Sequence, residues 1–469
     1  MVMGSLRLEA DLVVIGGGPG GYVAALRAAD LGREVTLIDE RPRLGGVCLL
    51  EGCIPSKTLI NAVELATAAK DASRLGVTFE GLTIDPVKLR AHTDKTVATL
   101  SRGVDQLVKS RGIDVIQGRA RFTGPRSISL EGGEVSGIDF RDCIIATGSR
   151  PRTLPWSEGS GVWTSREALQ LPDVAPGRLV VVGGGYIGLE LGLVYAGLGS
   201  EVTVVEFDQR LLVGADPDLV EIMVKRARKQ LRAIQTESKV VGVTRKGDGF
   251  VLEIQRGGER ELMETDRVLV SVGRTPNTDD LGLDHTAIAL DAGGCIPVDE
   301  QCRTAAPNIY AIGDVTPGPM LAHKASREGK VAAEAAAGHS SAFDNRAIPA
   351  VVFTDPEIAW VGITEQEAEA QGLAVLVGKF PLRALGRART LGRTEGLVKV
   401  IADADTKLVR GVGMVGPWVS EMIAEGSLAL EMGATLEDLM VTIHPHPTIS
   451  EAIMEAAEAA AGAGVHLPR

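Results

Sequence analysis

The chain has 469 residues, too many for one ordinary hydrophobic core, so two to four domains are expected. Its 57 glycines and 3% aromatic content suit α/β folds with many tight strand-to-helix turns. With 61 acidic against 49 basic residues, a net charge of −12 and no Lys/Arg block, the chain carries no nucleic-acid footprint.

The first residues, MVMGSLRLEADLVVIGG, have neither the charged start nor the continuous apolar core of a signal peptide, so a cytoplasmic protein is expected. Asp11 to Ile15 is a short β-branched run that ends in Gly16-Gly17-Gly18-Pro19-Gly20-Gly21, followed by a helical pattern and a second strand closing on Asp39. This is G-x-G-x-x-G in full βαβ context, with an acid about 20 residues on. Gly16, Gly18 and Gly21 would let the backbone approach a pyrophosphate at a helix N-terminus, and Asp39 would bond a ribose hydroxyl.

Next comes GGVCLLEGCIPSK, Gly45 to Lys57, with Cys48 and Cys53 five positions apart. Five residues of regular helix rise about 7.5 Å, beyond the roughly 7 Å within which two Cα atoms can share a disulfide. A disulfide here therefore needs a bent backbone. Gly52 allows the bend and Pro55 is tolerated in a helix's first turn, so the pair is expected where a loop becomes a helix. A helix N-terminus and Lys57 both favour thiolate over thiol, which describes a reactive pair. The segment resembles the redox-active disulfide of the flavin disulfide reductases, and its CL...GCIPSK form resembles the dihydrolipoamide dehydrogenase branch. That branch usually carries Asn-Val where Leu50-Glu51 stands here.

Helical patterns follow over Thr58 to Arg74 and Pro86 to Ser110; in the second, Val97, Leu100, Val104, Leu107 and Val108 are expected in the core. Strand-like DVIQGRARF and SISLEG lead to Cys143 to Gly148, CIIATG, which resembles the turn closing the first dinucleotide half in that family; Thr147 and Gly148 are assigned to the flavin on that basis. Pro151, Pro155 and SEGSG mark a boundary.

A second fingerprint starts at Arg178: strand RLVVV, then Gly183, Gly185 and Gly188, then strand EVTVVE ending at Glu206. Gly183 to Glu206 and Gly16 to Asp39 are both 23 residues apart. Two such sites imply two dinucleotides, and the one beside the cysteines is expected to hold FAD. An acid at Glu206 accepts from a free ribose 2′-hydroxyl and repels a 2′-phosphate, which favours NAD over NADP. Glu190 lies in an otherwise apolar stretch, Leu179 to Gly199, which reads as buried strand and helix rather than a membrane span; a buried Glu190 requires a partner. By resemblance Glu190 pairs with Lys57 beside the flavin, and Glu190 and Gly273 count among the NAD-site residues.

TAAPNIYAIGDV, Thr304 to Val315, resembles the family segment in which Gly313 precedes an acid, Asp314, on the FAD ribityl chain; MLAHK then opens a helix. From Ile348 the chain turns strand-like and ends in helices, resembling a dimerisation domain. His444-Pro445-His446-Pro447-Thr448-Ile449-Ser450-Glu451 matches the family's H-x-H-P-T-x-S-E, with Glu451 placed to orient His446 as acid and base. Cys143, Cys295 and Cys302 show no ligand spacing and are expected as buried thiols, with no metal site.

The resemblance implies an α/β fold with two Rossmann-like dinucleotide-binding domains plus a C-terminal α+β dimerisation domain. Its expected divisions are 1–150 for FAD, 151–275 for NAD, 276–345 returning to the FAD site, and 346–469 for the dimer interface. It implies a homodimer in which His446 serves the other subunit's Cys48 and Cys53. The implied reaction is oxidation of dihydrolipoamide carried on an acyltransferase or carrier protein of a 2-oxo-acid dehydrogenase or glycine-cleavage complex, with FAD and NAD as cofactors. Glu206 and the GCIPSK context disfavour a glutathione reductase, and the lack of a cysteine pair near the C-terminus disfavours a mercuric reductase. A flavoprotein redox sensor without turnover is disfavoured because Cys48, Cys53, His446 and Glu451 are all present.

Overall fold

The computed structural model describes residues 6–132 and 135–467. The chain divides into two units: residues 1–58, 90–152 and 273–344 form one, and 59–89, 153–272 and 345–469 the other.

In the first unit a parallel sheet runs β3 (Asp114–Gln117), β2 (Val35–Asp39), β1 (Leu6–Ile15), β6 (Val135–Ile145). β6 is long enough to take two further neighbours. Its first half pairs antiparallel with β5 (Ser127–Glu131), which continues to β4 (Arg119–Gly124), and its last three residues pair parallel with β16 (Ile309–Ala311). The run read as DVIQGRARF is two strands, because the chain breaks at Gly118, whose amide donates to the Asp39 carbonyl. Helix α1 (Pro19–Asp30) starts with proline in its first turn and buries Gly20, Ala24, Ala25 and Ala28. Small residues there let α8 (Ala322–Ala336) come close: a Cβ on Gly329 would lie 2.5 Å from the Gly20 carbonyl oxygen.

Helix α2 (Gly46–Glu51) precedes α3 (Cys53–Asp71) and α4 (Pro86–Ser110). In α4, Val97, Val104 and Val108 are buried as expected, but Leu100 and Leu107 are 43% and 47% exposed. At 100° per residue the three valines lie within about 20° of one line, whereas the leucines stand roughly 60° and 80° round the helix. Cys143 and Cys302 are buried; Cys295 is only partly so, held in a surface turn by the Asp291 carboxylate.

The second unit repeats the parallel arrangement as β10 (Ala233–Gln235), β9 (Glu201–Val205), β8 (Arg178–Val182), β14 (Arg267–Val270), with α6 (Tyr186–Gly197) packed on it. Beside it lies an antiparallel sheet of β11 (Ser238–Lys246), β12 (Gly249–Arg256) and β13 (Glu259–Thr265). Leu179 to Gly199 is thus buried strand and helix, and among the described residues no helix is long and apolar enough to cross a membrane. A five-stranded antiparallel sheet follows, ordered β17 (Ala350–Val352), β18 (Glu357–Gly362), β21 (Val409–Gly416), β20 (Leu397–Asp403), β19 (Val375–Pro381). Helices α11 (Val419–Met432) and α13 (Glu451–Ala460) pack on this sheet. Helices α5 (Ser165–Leu169), α9 (Glu365–Ala370) and α12 (Leu436–Val441) each start at a threonine capping box; α10 (Gly386–Thr390) has none.

Lys399, on β20, is fully buried and its ammonium donates to Asp216, Asp218 and Glu365 at 2.9, 2.7 and 2.8 Å. Asp216 precedes α7 (Pro217–Ala227) and also accepts from the first amides of α9, so one buried cation ties both helices to the five-stranded sheet. Burial pushes the Asp218 and Glu365 carboxyls up, but hydrogen bonds from Lys399 and Lys379 outweigh it and hold both below their ordinary range. Burial pulls the Lys399 ammonium down, yet the three carboxylates raise it on balance. Because the carboxyl values are depressed, their contribution is complete above about pH 4 and lost as pH falls further; the lysine's holds until pH rises beyond about 10.4. Lys399→Met is therefore expected to cost about 3 kcal/mol in urea unfolding at pH 7, and the difference from the parent should narrow below about pH 4.

Candidate active site

Both fingerprints are built the same way. The Gly17 amide donates to Asp39 Oδ2 at 2.6 Å and the Arg41 amide to Oδ1 at 2.8 Å. Glu206 likewise accepts from the Gly184 amide through Oε2 and from the Asp208 amide at 2.8 Å through Oε1. Each acid thus ties the end of its strand to the turn it serves. Burial pushes the Asp39 carboxyl up, opposed by the amides of Arg41 and Gly17.

The outer glycines answer to the chain itself. A Cβ on Gly16 would lie 2.3 Å from the Ala146 carbonyl oxygen, on Gly21 1.8 Å from that of Gly16, and on Gly188 2.2 Å from that of Gly183. Gly16 and Gly183 also have φ of +106° and +109°. The middle glycines differ. A Cβ on Gly18 would meet nothing nearer than 3.8 Å, and on Gly185 nothing within 4 Å. Nothing in the chain requires glycine there, whereas a pyrophosphate lying against the turn would. With helix-start amides and a strand-end carboxylate beside it, each turn fits a dinucleotide.

The cysteine segment is packed onto the first turn. The Gly45 amide donates to the Gly17 carbonyl at 2.8 Å, and a Cβ on Gly46 would lie 2.5 Å from Gly18 Cα. Cys48 sits inside the short helix α2 rather than in a loop, and Cys53 is the first residue of α3. Gly52 separates the helices with φ −144° and ψ −106°, the bend that the five-residue spacing demanded. Both cysteines are free thiols, Cys53 exposed and Cys48 largely covered. The hydrogen bond to Cys53, and then burial, push the Cys48 thiol up, with Lys57 opposing. Glu51 directs its charge to Arg41 at 3.4 Å, and Leu50 packs on the core.

Thr147 and Gly148 form the turn after β6. Thr147 Oγ1 donates to the Asn277 carbonyl at 2.7 Å, and the Gly148 carbonyl accepts from the Asn277 amide at 2.9 Å. Gly313, with φ +76°, opens the turn carrying Asp314; its amide donates to Glu328 at 2.6 Å and its carbonyl accepts from Lys324. Lys324 and Glu328, 3.0 Å apart and nearly inaccessible, are site-building residues that sequence reading passed over, because a lysine and a glutamate four apart on a helix ordinarily read as a solvated pair.

In the second unit Glu190 is buried and accepts from the Phe353 amide at 3.0 Å, a partner 163 residues away. His446 Nδ1 meets Glu451 Oε1 at 2.8 Å, and Glu451 Oε2 accepts from the Thr448 amide at 2.8 Å. The His446–Pro447 peptide is cis. His446 is 77% exposed while Glu451 is 15% exposed. Gly16, Gly18, Gly21, Asp39, Cys48, Cys53, Lys57, Thr147, Gly148, Gly273, Gly313 and Asp314 belong to the first unit, and Gly183, Gly185, Gly188, Glu190, Glu206, His446 and Glu451 to the second.

Residues 10–329 match the pyridine nucleotide-disulphide oxidoreductase family, and residues 348–457 match the dimerisation domain of the same family. The chain belongs to the pyridine nucleotide-disulphide oxidoreductases. It is 46% identical to a dihydrolipoyl dehydrogenase of Geobacillus stearothermophilus, covering 100% of this chain and 99% of that one, and 45% identical to one of Bacillus subtilis, covering 100% of both. Among solved structures, LpdA from Mycobacterium tuberculosis superposes with a TM-score of 0.88 at 32% identity over 96% of this chain and 99% of that one. The HOCl-induced flavoprotein disulfide reductase RclA from Escherichia coli gives 0.84 at 27%, over 96% of this chain and 99% of that one. Members of the pyridine nucleotide-disulphide oxidoreductases use FAD and a pyridine nucleotide, and the matched dimerisation domain gives this oxidoreductase a homodimer.

Gly188→Ala would press a methyl group into the Gly183 carbonyl. The variant should bind NADH at least about tenfold more weakly in a fluorescence titration, with flavin content unchanged, since a backbone shift of that kind costs on the order of 1–3 kcal/mol.

Proposed function

We propose that this chain is the dihydrolipoamide-oxidising, NAD-reducing flavoenzyme that its full-length relatives are named for. The observation that carries this reading is the thiol pair, bent across Gly52 and packed onto the first fingerprint turn, in a chain that also holds an oriented histidine.

FAD, when bound, supplies a two-electron acceptor for the dithiol and a hydride donor for NAD. Gly16, Gly18, Gly21, Asp39, Lys57, Thr147, Gly148, Gly313 and Asp314 would hold it; Gly183, Gly185, Gly188, Glu190, Glu206 and Gly273 would hold NAD. Glu451 accepts the Nδ1 proton of His446, which leaves the Nε2 lone pair as the base. His446 takes a proton from one dihydrolipoamide thiol, and the thiolate attacks Cys48 Sγ. The Cys48–Cys53 bond breaks and Cys53 leaves as a thiolate at the start of α3, where helix-start amides stabilise it. The second lipoyl thiol, deprotonated in turn, attacks the sulfur joined to Cys48, closes the lipoamide disulfide and releases Cys48, which takes up the proton. Two electrons now rest in the Cys48–Cys53 pair. The free thiols of Cys48 and Cys53 correspond to this reduced pair.

His446 serves the partner subunit's pair in this proposal. Its exposure supports that, as do exposed Leu428, Met432, Val441 and Ile443, four apolar side chains on or near α11 and α12 whose burial a homodimer would supply. The divisions 1–150, 151–275, 276–345 and 346–469 belong to the same proposal, supported by the separate sheets. The lipoyl group is carried by an acyltransferase or carrier protein of a 2-oxo-acid dehydrogenase or glycine-cleavage complex, in the cytoplasm.

Anaerobic addition of dihydrolipoamide should produce a long-wavelength absorbance that Cys53→Ser lacks, and NAD added next should appear as NADH. A flavin that NADH reduces but dihydrolipoamide does not would overturn the assignment. His446→Gln should lower dihydrolipoamide oxidation about 10²- to 10⁴-fold while NADH still reduces the flavin in a stopped-flow trace.

A further inference from the structure

Asp314, on the short turn Gly313–Val315, is held from a direction the fingerprints do not explain. Its Oδ2 accepts the hydroxyl of Ser149, which stands on β7 (Ser149–Pro151) and is 2% exposed. Ser149 is in turn clamped by Arg274 on β15 (Arg274–Pro276), whose Nε donates to Ser149 Oγ at 2.7 Å and whose Nη2 donates to the Ser149 carbonyl at 2.7 Å. The two strands pair antiparallel, with Pro276 opposite Ser149.

This chain of bonds has only one direction. A guanidinium donates and cannot accept, so the Ser149 oxygen must accept from Arg274, and its single proton must go to Asp314. Oδ2 is therefore capped and the carboxylate plane set. Among the described residues no donor meets Asp314 Oδ1, the remaining acceptor. A serine hydroxyl alone would rotate among partners; a clamped one does not.

We propose that Ser149 and Arg274 are positioning residues for the flavin, orienting Asp314 so that Oδ1 is presented to a ribityl hydroxyl. The inference rests on the reading of Asp314 as a FAD ligand. Holding the carboxylate in its bound orientation before FAD arrives removes the ordering cost that a free side chain would pay on binding. Arg274 acts through Ser149 and touches no ligand in this scheme.

The test is FAD dissociation from the purified holoenzyme on dilution, followed by flavin fluorescence. Asp314→Asn should weaken FAD retention, and Ser149→Ala and Arg274→Met should each weaken it about tenfold, the worth of a charge-assisted hydrogen bond. Ser149→Thr, which keeps the hydroxyl, should restore it. Adding Ser149→Ala to Asp314→Asn should produce little further loss, because both changes break one chain of contacts. General damage to the fold would instead give additive losses and no rescue. If Asp314→Asn matters while Ser149→Ala and Arg274→Met stay within about twofold, or if the double variant is additive, the positioning role is overturned and Asp314 keeps its assignment. If Asp314→Asn changes nothing, the assignment of Asp314 fails and this inference with it. Should Ser149→Ala fail to fold, Arg274→Met and its combination with Asp314→Asn decide the question alone.

Discussion

The hydrogen bond from the Gly17 amide to Asp39 is the constraint on which most of the first unit depends. It ties the end of β2 to the turn after β1, and that turn then sets the start of α1 and the seat of the cysteine segment. Gly46 packs on Gly18 and Gly45 bonds Gly17, so the position of Cys48 follows from a glycine turn more than 25 residues earlier. The second unit repeats the acid-to-turn bond with Glu206 and Gly184 but carries no cysteines beside it. One local design thus yields two turns of the same form, and the neighbouring cysteine pair distinguishes them.

Burial governs how the charged residues are used. Lys399 is inaccessible and surrounded by three carboxylates; Glu190 is inaccessible and capped by a backbone amide; Lys324 and Glu328 neutralise each other around the Gly313 turn. In each case a polar group that would be costly in the interior fixes the position of neighbouring backbone. The reactive groups are treated differently. Cys53 and His446 are exposed, while Cys48 and Glu451 beside them are partly covered. In the proposed reaction the exposed His446 ring is open to a dihydrolipoamide thiol, while Glu451 fixes its orientation.

The proposed chemistry divides accordingly. Thiol exchange needs one sulfur that leaves easily and one that is attacked, and the break at Gly52 supplies the asymmetry by putting Cys53 at a helix start and Cys48 within the preceding helix. Proton transfer needs a ring nitrogen whose opposite side is fixed, which the Glu451 carboxylate, itself held by the Thr448 amide, provides.

The sequence by itself determined both fingerprints, the spacing of glycines to acids, the cysteine bend and the histidine–glutamate pair, because each is a short-range pattern whose residue types are dictated by local backbone geometry. It also marked α4 correctly from Pro86 to Ser110 while counting Leu100 and Leu107 as core, since periodicity locates a helix but not the width of the face that is covered. It placed Cys48 in a loop and Cys295 in the interior, where the structure has a helical turn and a partly open one. Only the tertiary structure decided which partner each buried charge takes. Lys399 finds Asp216, and Asp314 finds Ser149 and through it Arg274, across separations of 183 and 165 residues for the two direct contacts. Such pairings follow from how sheets and helices stack, and no pattern local to either partner encodes them.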